Sequence, residues 1–380
     1  MTPRTTYPAR RDDVRLLVVD GVTGIQVETR SPDLVTFLDK HDLLVVNDAA
    51  TLPASLLGQD EHGNQVELRL AAHAPPGQEQ AQEQAAESAV VAAGAEEGID
   101  DPLAHTFQAV LFGAGDWRQR TEDRPAPPAL GPGARLHFGR DLHAEVVARS
   151  SLSPRLLTVR FIPLATQDAL WSALYRHARP IQYSYLAHAL PLWAVQTVYA
   201  ARPWAFEMPS AGRPLSWEIL LALKRKGVAL ASLTHAAGLS STGDPAIDAA
   251  LPLPERFELT ADTVRSVEQA RARGGRVIAV GTSVVRALEG AIAARGTLRA
   301  GGGVTNLRID RHHHRRVVDG LITGIHSAGE SHFDLLGAFA SPGVLAAASA
   351  HAQKHGFAAH ELGDLMLIIV GDRDNKTAVD

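Results

Sequence analysis

The chain carries four apolar runs that each stop in polar, reactive side chains. Leu43-Leu44-Val45-Val46 ends in Asn47-Asp48, and the run 228–233 ends in Thr234-His235. Val277-Ile278-Ala279-Val280 ends in Gly281-Thr282-Ser283, and the run 320–325 ends in His326. Histidine has an unperturbed pKa of ~6.5 and exchanges protons near neutrality. A carboxylate does the same when its surroundings shift it. His235, His326 and Asp48 are therefore the candidate acid–base groups. Arg286, in a helical pattern that begins after Gly281, is the candidate anion anchor. A helix N-terminus carries partial positive charge, so a cation near it is disfavoured. Either an acid pairs with Arg286, with Glu289 at i+3 the local choice, or a negative ligand comes to it. The N–H groups after Gly281, a Ser or Thr cap and a guanidinium fork together suit a carboxylate or phosphate. No Gly-Lys-Ser/Thr follows a glycine loop, so this is not a P-loop.

The elements that must position these groups read as α/β. The segment 42–48 is continuously apolar, as in a strand buried on both faces. From about residue 165, helical patterns alternate with strands. Ser216 reads as an N-cap and Gly227 as a C′ residue for one helix, and Gly274 closes another. Strands alternating with helices imply a largely parallel sheet or a barrel, with ligands at the carboxyl ends of the strands. Between 58 and 163 the character changes to short, half-polar strands separated by Gly, Pro and Asp, which predicts an all-β unit. The expected organisation is a barrel-like α/β catalytic domain over 1–57 and 164–380, with an all-β domain inserted at 58–163. Within the insert, residues 75–101 are acidic and of low complexity and read as a loop.

Composition narrows the chemistry. The 380 residues suit about two domains, and a formal net charge of −5 gives no overall basic field for nucleic acid. The absence of cysteine excludes disulfides, thiolate metal sites and a cysteine nucleophile. His312-His313-His314 invites a metal reading, but neighbours in an extended hairpin point to opposite faces, so no metal is expected. Gly329-Glu330-Ser331 lacks the final glycine of a nucleophile elbow. No run approaches the ~18 apolar residues of a spanning helix. The expectation is a cytoplasmic protein without membrane association; its oligomeric state is left open.

The motifs resemble a family. "GRVIAVGTSVVRALE" is similar to the G-x-R-V-I-A-V-G-T-T-S-V-R-x-L-E segment of the S-adenosylmethionine:tRNA ribosyltransferase-isomerases of queuosine biosynthesis. "DLLVVNDAATLPASLLG", "QTVYAARPWAFEMPSAG", "VVDGLITGIH" and "LGDLMLI" resemble other family segments in the same order, over nearly the whole chain. The resemblance implies transfer of the ribosyl part of S-adenosylmethionine to a 7-deazaguanine in tRNA, followed by isomerisation. S-adenosylmethionine is then a co-substrate, and neither a metal nor another cofactor is needed. Asn47, Tyr199, Ala211, Gly212, Gly281, Thr282, Ser283 and Arg286 are then the candidate S-adenosylmethionine contacts, and Arg286, from its place at the helix start rather than from the resemblance, is the candidate anchor for the methionine carboxylate.

Departures cluster at the strand-end mouth. The family's arginine in P-A-R-L is Ser55, and the His and Phe after its P-T-A-G are lost, while Arg213 is gained. A tRNA acceptor is therefore held open. The alternatives are a relative that binds S-adenosylmethionine but uses another acceptor or simply cleaves it, and a non-catalytic binding protein of the same fold.

Overall fold

A computed structural model describes residues 2–73, 105–162, 167–326 and 331–371. The acidic segment 75–101 and residues 327–330 lie outside these. Two compact units emerge: residues 1–52, 184–237 and 255–380 form one, and residues 53–183 and 238–254 the other.

The larger unit is built on one nine-stranded sheet. In chain order its strands are β1 (Arg15–Asp20), β2 (Gln26–Arg30), β3 (Leu43–Asn47), β4 (Ala229–His235) and β5 (Glu255–Leu259). Then come β6 (Val277–Val280), β7 (Gly301–Thr305), β8 (Gly320–Gly324) and β9 (Leu365–Ile369). The order across the sheet is β7-β5-β4-β3-β6-β8-β9-β1-β2. The central four, β4-β3-β6-β8, are mutually parallel. Their carboxyl ends carry His235, Asn47, Gly281 and His326 on one edge of the sheet. The sequence allowed a parallel sheet or a barrel here. The pairing gives a sheet parallel at its centre, and among the described residues its end strands β7 and β2 do not pair with each other.

Both faces of this sheet are covered, which is why its central strands are apolar throughout. Leu43 and Val45 lie in one apolar cluster with Val267 of α2 (Ala261–Ala272), Leu288 of α3 (Thr282–Arg295) and Ala348 of α4 (Pro342–Lys354). Leu44 and Val46 face α1 (Trp217–Lys226) through Ile219, Leu220 and Leu223. Each such side chain removed from water contributes about 1.5–3 kcal/mol. Ser216 caps α1 by accepting the Ile219 N–H, and left-handed Gly227 ends it, as the sequence indicated. The start of α3 differs from expectation: its N-cap is Gly281, and among the described residues no side-chain oxygen caps the helix.

In the smaller unit, six antiparallel strands close into a barrel in the order Ser55–Asp60, Gln65–His73, Thr106–Phe112, Leu156–Ile162, His143–Arg149, Arg135–His137. Gln59↔His137 and Asp60↔Leu136 close the ring. Closure removes exposed strand edges. Phe107, Phe138 and Phe161 fill the interior, with ring centroids 5.9 and 6.3 Å apart. The unit is wider than 58–163. It adds the helix Gln167–His177, a short strand at Ala178–Arg179 that pairs with Ser55–Leu56, and residues 238–254. No alternating pattern marks those flanking pieces as part of the β unit.

Candidate active site

Asn47 ends β3 and ties together its neighbours. Its Oδ1 accepts from the N–H of His235 at 2.9 Å and of Ala49 at 3.0 Å. Its Nδ2 donates to the His235 carbonyl at 2.9 Å and to Ser283 Oγ, at the start of α3, at 3.4 Å. Asp48 accepts from Ser232 Oγ at 2.9 Å and Thr234 Oγ1 at 2.6 Å. The polar ends of β3 and β4 are thus cross-linked by side chains from both strands.

His235 is fully buried. Its Nε2 lies 3.2 Å from Glu255 Oε2, and Arg286 Nη1 lies 2.5 Å from the same oxygen. Burial, then the charge of Arg286, drives the His235 pKa well below 6.5, so the ring is neutral. Burial also lowers the pKa of Arg286, while Glu255 pulls it back up. Arg286 therefore does have an acidic partner, and it is not Glu289. Glu289 accepts from the N–H groups of Val317 at 2.8 Å, Arg316 at 2.9 Å and Val318 at 3.0 Å, which pins the approach to β8. Antiparallel pairing of His235 with Phe257 brings the start of β5 beside the end of β4, and Glu255 with it. Arg286 Nε and Nη2 have no hydrogen-bond partner among the described residues.

Gly281 has φ 89° and ψ 153°, and its N–H donates to Ile322 at 2.8 Å. That backbone region belongs almost solely to glycine. Gly281→Ala is expected to cost about 1–3 kcal/mol in denaturant unfolding and to displace the α3 start. Ala211 stands across from it: a Cβ on Gly281 would lie 3.9 Å from the Ala211 Cβ. Gly212 packs so closely on Tyr199 that a Cβ there would come within 2.3 Å of the hydroxyl. Burial, and then Asp48, raises the Tyr199 pKa, with Arg11 opposing, so the phenol keeps its proton. Beyond β8, His326 Nε2 sits 2.8 Å from Thr323 Oγ1, and its ring stacks on His332 at 5.1 Å and 12°. A Cβ on Gly324 would lie 3.9 Å from His326 Nε2 and 4.0 Å from Ser210 Oγ.

These contacts join the sequence-selected residues into two linked groups. Asn47, Ser283, His235, Glu255 and Arg286 make one. Ser210, Ala211, Gly281, Thr323 and His326 make the other, with Tyr199 and Gly212 behind. Thr323, Glu255, Ser210 and His332 are not among the residues selected from the sequence. A polar Thr323 inside an otherwise apolar strand was the signal available for the first.

Three other readings change. Arg213 is 1% exposed, donates Nε to Ala194 at 3.0 Å and lies 4.1 Å over the Tyr7 ring, so it is an interior residue and not a gained surface cation. Ser55 belongs to the smaller unit, where its hydroxyl donates to Glu67 Oε1 at 2.7 Å. His312–His314 lie in a turn and loop, not a hairpin strand. There His312 faces Arg311 and His313 faces Glu289, so the three do not converge.

The fold and this edge define an α/β protein with a polar strand-end site and a small β-barrel unit. The family described as queuosine biosynthesis protein matches residues 3–368, and the chain belongs to it. A relative from Trichlorobacter lovleyi, named S-adenosylmethionine:tRNA ribosyltransferase-isomerase, is 29% identical over 96% of this chain and 95% of its own length. One of the same name from Acidithiobacillus ferrooxidans is 31% identical over 94% and 92%. A solved S-adenosylmethionine tRNA ribosyltransferase from Thermotoga maritima aligns with 97% of this chain and 96% of that chain, at 20% identity and a TM-score of 0.48.

Proposed function

We propose that the chain is an S-adenosylmethionine:tRNA ribosyltransferase-isomerase, moving the ribosyl unit of S-adenosylmethionine to a 7-deazaguanine in tRNA and isomerising it. The match to the family over residues 3–368 carries this reading. The reaction needs a base beside the sulfonium, a proton for departing adenine and an anchor for the methionine carboxylate. His326 is the histidine placed to exchange a proton with a ligand, because it is only half-buried. His235 is enclosed and neutral, and its part is to pack beside the Glu255–Arg286 pair. Asp48, tied to two hydroxyls, supports the same edge. Arg286 Nε and Nη2, without a hydrogen-bond partner among the described residues, are left for an anion beyond Glu255. Asn47, Tyr199, Ala211, Gly212 and Gly281 to Ser283 shape the S-adenosylmethionine site. The proposed reaction uses S-adenosylmethionine as co-substrate, asks for no metal and takes place in the cytoplasm. Among the described residues, no helix is long and apolar enough to cross a membrane.

The test is incubation with S-adenosylmethionine, with and without tRNA bearing the deazaguanine, with products read by mass spectrometry. Adenine, methionine and a ribosyl-modified nucleoside are expected only with the tRNA. Adenine released equally without RNA would transfer the reading to another acceptor or to simple cleavage. No turnover with either would leave a binding protein of this fold.

A further inference from the structure

A second cluster lies at the far side of the same sheet. β2 is an end strand, four places from β6 in the sheet order. It presents Glu28 to the C-terminal turn of α4, where His351 and His355 stand four residues apart. That spacing puts both rings on one face of the helix. The rings stack at 4.2 Å and 17°. A single carboxylate oxygen, Glu28 Oε1, meets both of them: His351 Nε2 at 2.7 Å, and His355 Nδ1. Among the described residues, these three potential ligand atoms all lie within 4.8 Å of one another.

The carboxylate is also oriented. Arg15 Nη2 holds the other oxygen, Oε2, at 2.6 Å, and Arg15 Nη1 donates to the His355 carbonyl at 2.7 Å. The guanidinium itself rests 3.7 Å over the Phe357 ring. Such outer contacts fix which oxygen a carboxylate presents. The C-terminus of α4 adds partial negative charge, which favours a cation. Arg15 opposes one, but it is committed to Oε2 and to the backbone.

We propose that Glu28, His351 and His355 bind one divalent transition-metal ion of the zinc class, clipping β2 to the end of α4. Two imidazole nitrogens and a carboxylate oxygen, with water in the fourth position, are an ordinary zinc donor set. Tetrahedral zinc holds its ligands at about 2.0–2.2 Å, and so keeps them about 3.4 Å from one another. The 2.7 Å contact between His351 Nε2 and Glu28 Oε1 must therefore open by about 0.7 Å. Each ring must carry its proton on the other nitrogen and turn out of the present stack, because the lone pair lies in the ring plane and two near-parallel rings cannot both aim at one ion. Hard cations such as magnesium or calcium prefer all-oxygen sites and are not expected here. The ion takes no part in the transfer reaction proposed above.

The test is titration of the chelator-stripped full chain with zinc chloride near neutral pH, by calorimetry and thermal unfolding. One tight equivalent and a raised unfolding temperature are expected, with no response to magnesium. His351→Ala, His355→Ala and Glu28→Gln should each weaken that equivalent by about tenfold or more. His351→Ala/His355→Ala should abolish it, while His312→Ala/His314→Ala should not change it. Circular dichroism of each metal-free variant checks that it is folded. A wild-type chain that takes up no zinc overturns the proposal. So does a tight equivalent that survives the His351/His355 double substitution.

Discussion

Glu255→Ala is expected to destabilise the large unit by about 3–5 kcal/mol, the range for removing one partner of a buried ion pair. Glu255 is 5% exposed and Arg286 9%, and their closest atoms are 2.5 Å apart. The substitution leaves a guanidinium in the interior, where Arg308 already acts against it. Arg286→Met should cost less, because a lone carboxyl can take up a proton. Glu255→Gln/Arg286→Met, which removes both charges, should recover most of the loss. A cost below about 1 kcal/mol for Glu255→Ala would mean that the pair is effectively solvated. Acid stability follows from the same cluster. Unfolded His235 protonates below about pH 6.5, whereas the folded ring, with its pKa held far lower, does not. Below that pH the unfolded state binds more protons, so stability is full above pH 6.5 and falls as pH drops. His235→Gln should flatten this decline, as followed by denaturant midpoints across pH.

The positions of the strand ends were legible because burial on both faces demands an unbroken apolar run, and such runs stop visibly. Asn47, His235, Gly281 and His326 all stand where those runs end. The helix caps at Ser216 and Gly227 were legible for the same local reason. What the strand ends do to one another was not. Whether Arg286 pairs with Glu289 or Glu255 depends on the register of β4 against β5, and both acids sit at plausible sequence positions. Helical spacing favoured Glu289; strand register chose Glu255. Arg213 misled in the opposite way. Its charge reads as surface in one dimension, yet Tyr7 and the Ala194 carbonyl enclose it from elements far along the chain. In the smaller unit the alternation announced strands, but closure depends on a two-residue pairing between Ser55–Asp60 and Arg135–His137 that no spacing encodes.

Glu67→Ala is expected to have a similarly large effect, confined to the smaller unit. Glu67 is 1% exposed on the Gln65–His73 strand. Its Oε1 accepts from Arg69 Nε and from Ser55 Oγ, both at 2.7 Å, and its Oε2 from Arg124 Nη1 at 2.5 Å. Burial pushes the carboxyl pKa up, but Arg69, Arg124 and Ser55 outweigh it and hold it below the usual range. Arg124 also donates to the carbonyls of Gly113 at 2.7 Å and Gly115 at 2.9 Å, so it cannot leave without unmaking that turn. Arg69, Arg155 and Arg124 surround the Phe112 ring at 4.7, 4.8 and 5.5 Å. Removing the carboxylate leaves this group of cations without its central anion. The expected loss is about 3–5 kcal/mol. Glu67→Gln, which keeps an acceptor but no charge, should fall between that and Ser55→Ala, which loses one hydrogen bond worth about 1 kcal/mol. Because the folded pKa is depressed, the stabilisation is present above the unfolded carboxyl's pKa of 4.5 and is lost as pH falls through the lower folded value. Amide hydrogen exchange resolves the effect by strand. Faster opening of Ser55–Asp60, Gln65–His73 and Thr106–Phe112, with the β3 and β6 amides unchanged, is the expected pattern. If Glu67→Ala cost no more than Ser55→Ala, the carboxylate would not be what holds the cluster, and the Gly113 and Gly115 carbonyls would suffice for Arg124. The Ser55 hydroxyl would then be a dispensable donor, whereas the ion cluster makes it one of the groups that hold the Glu67 carboxylate.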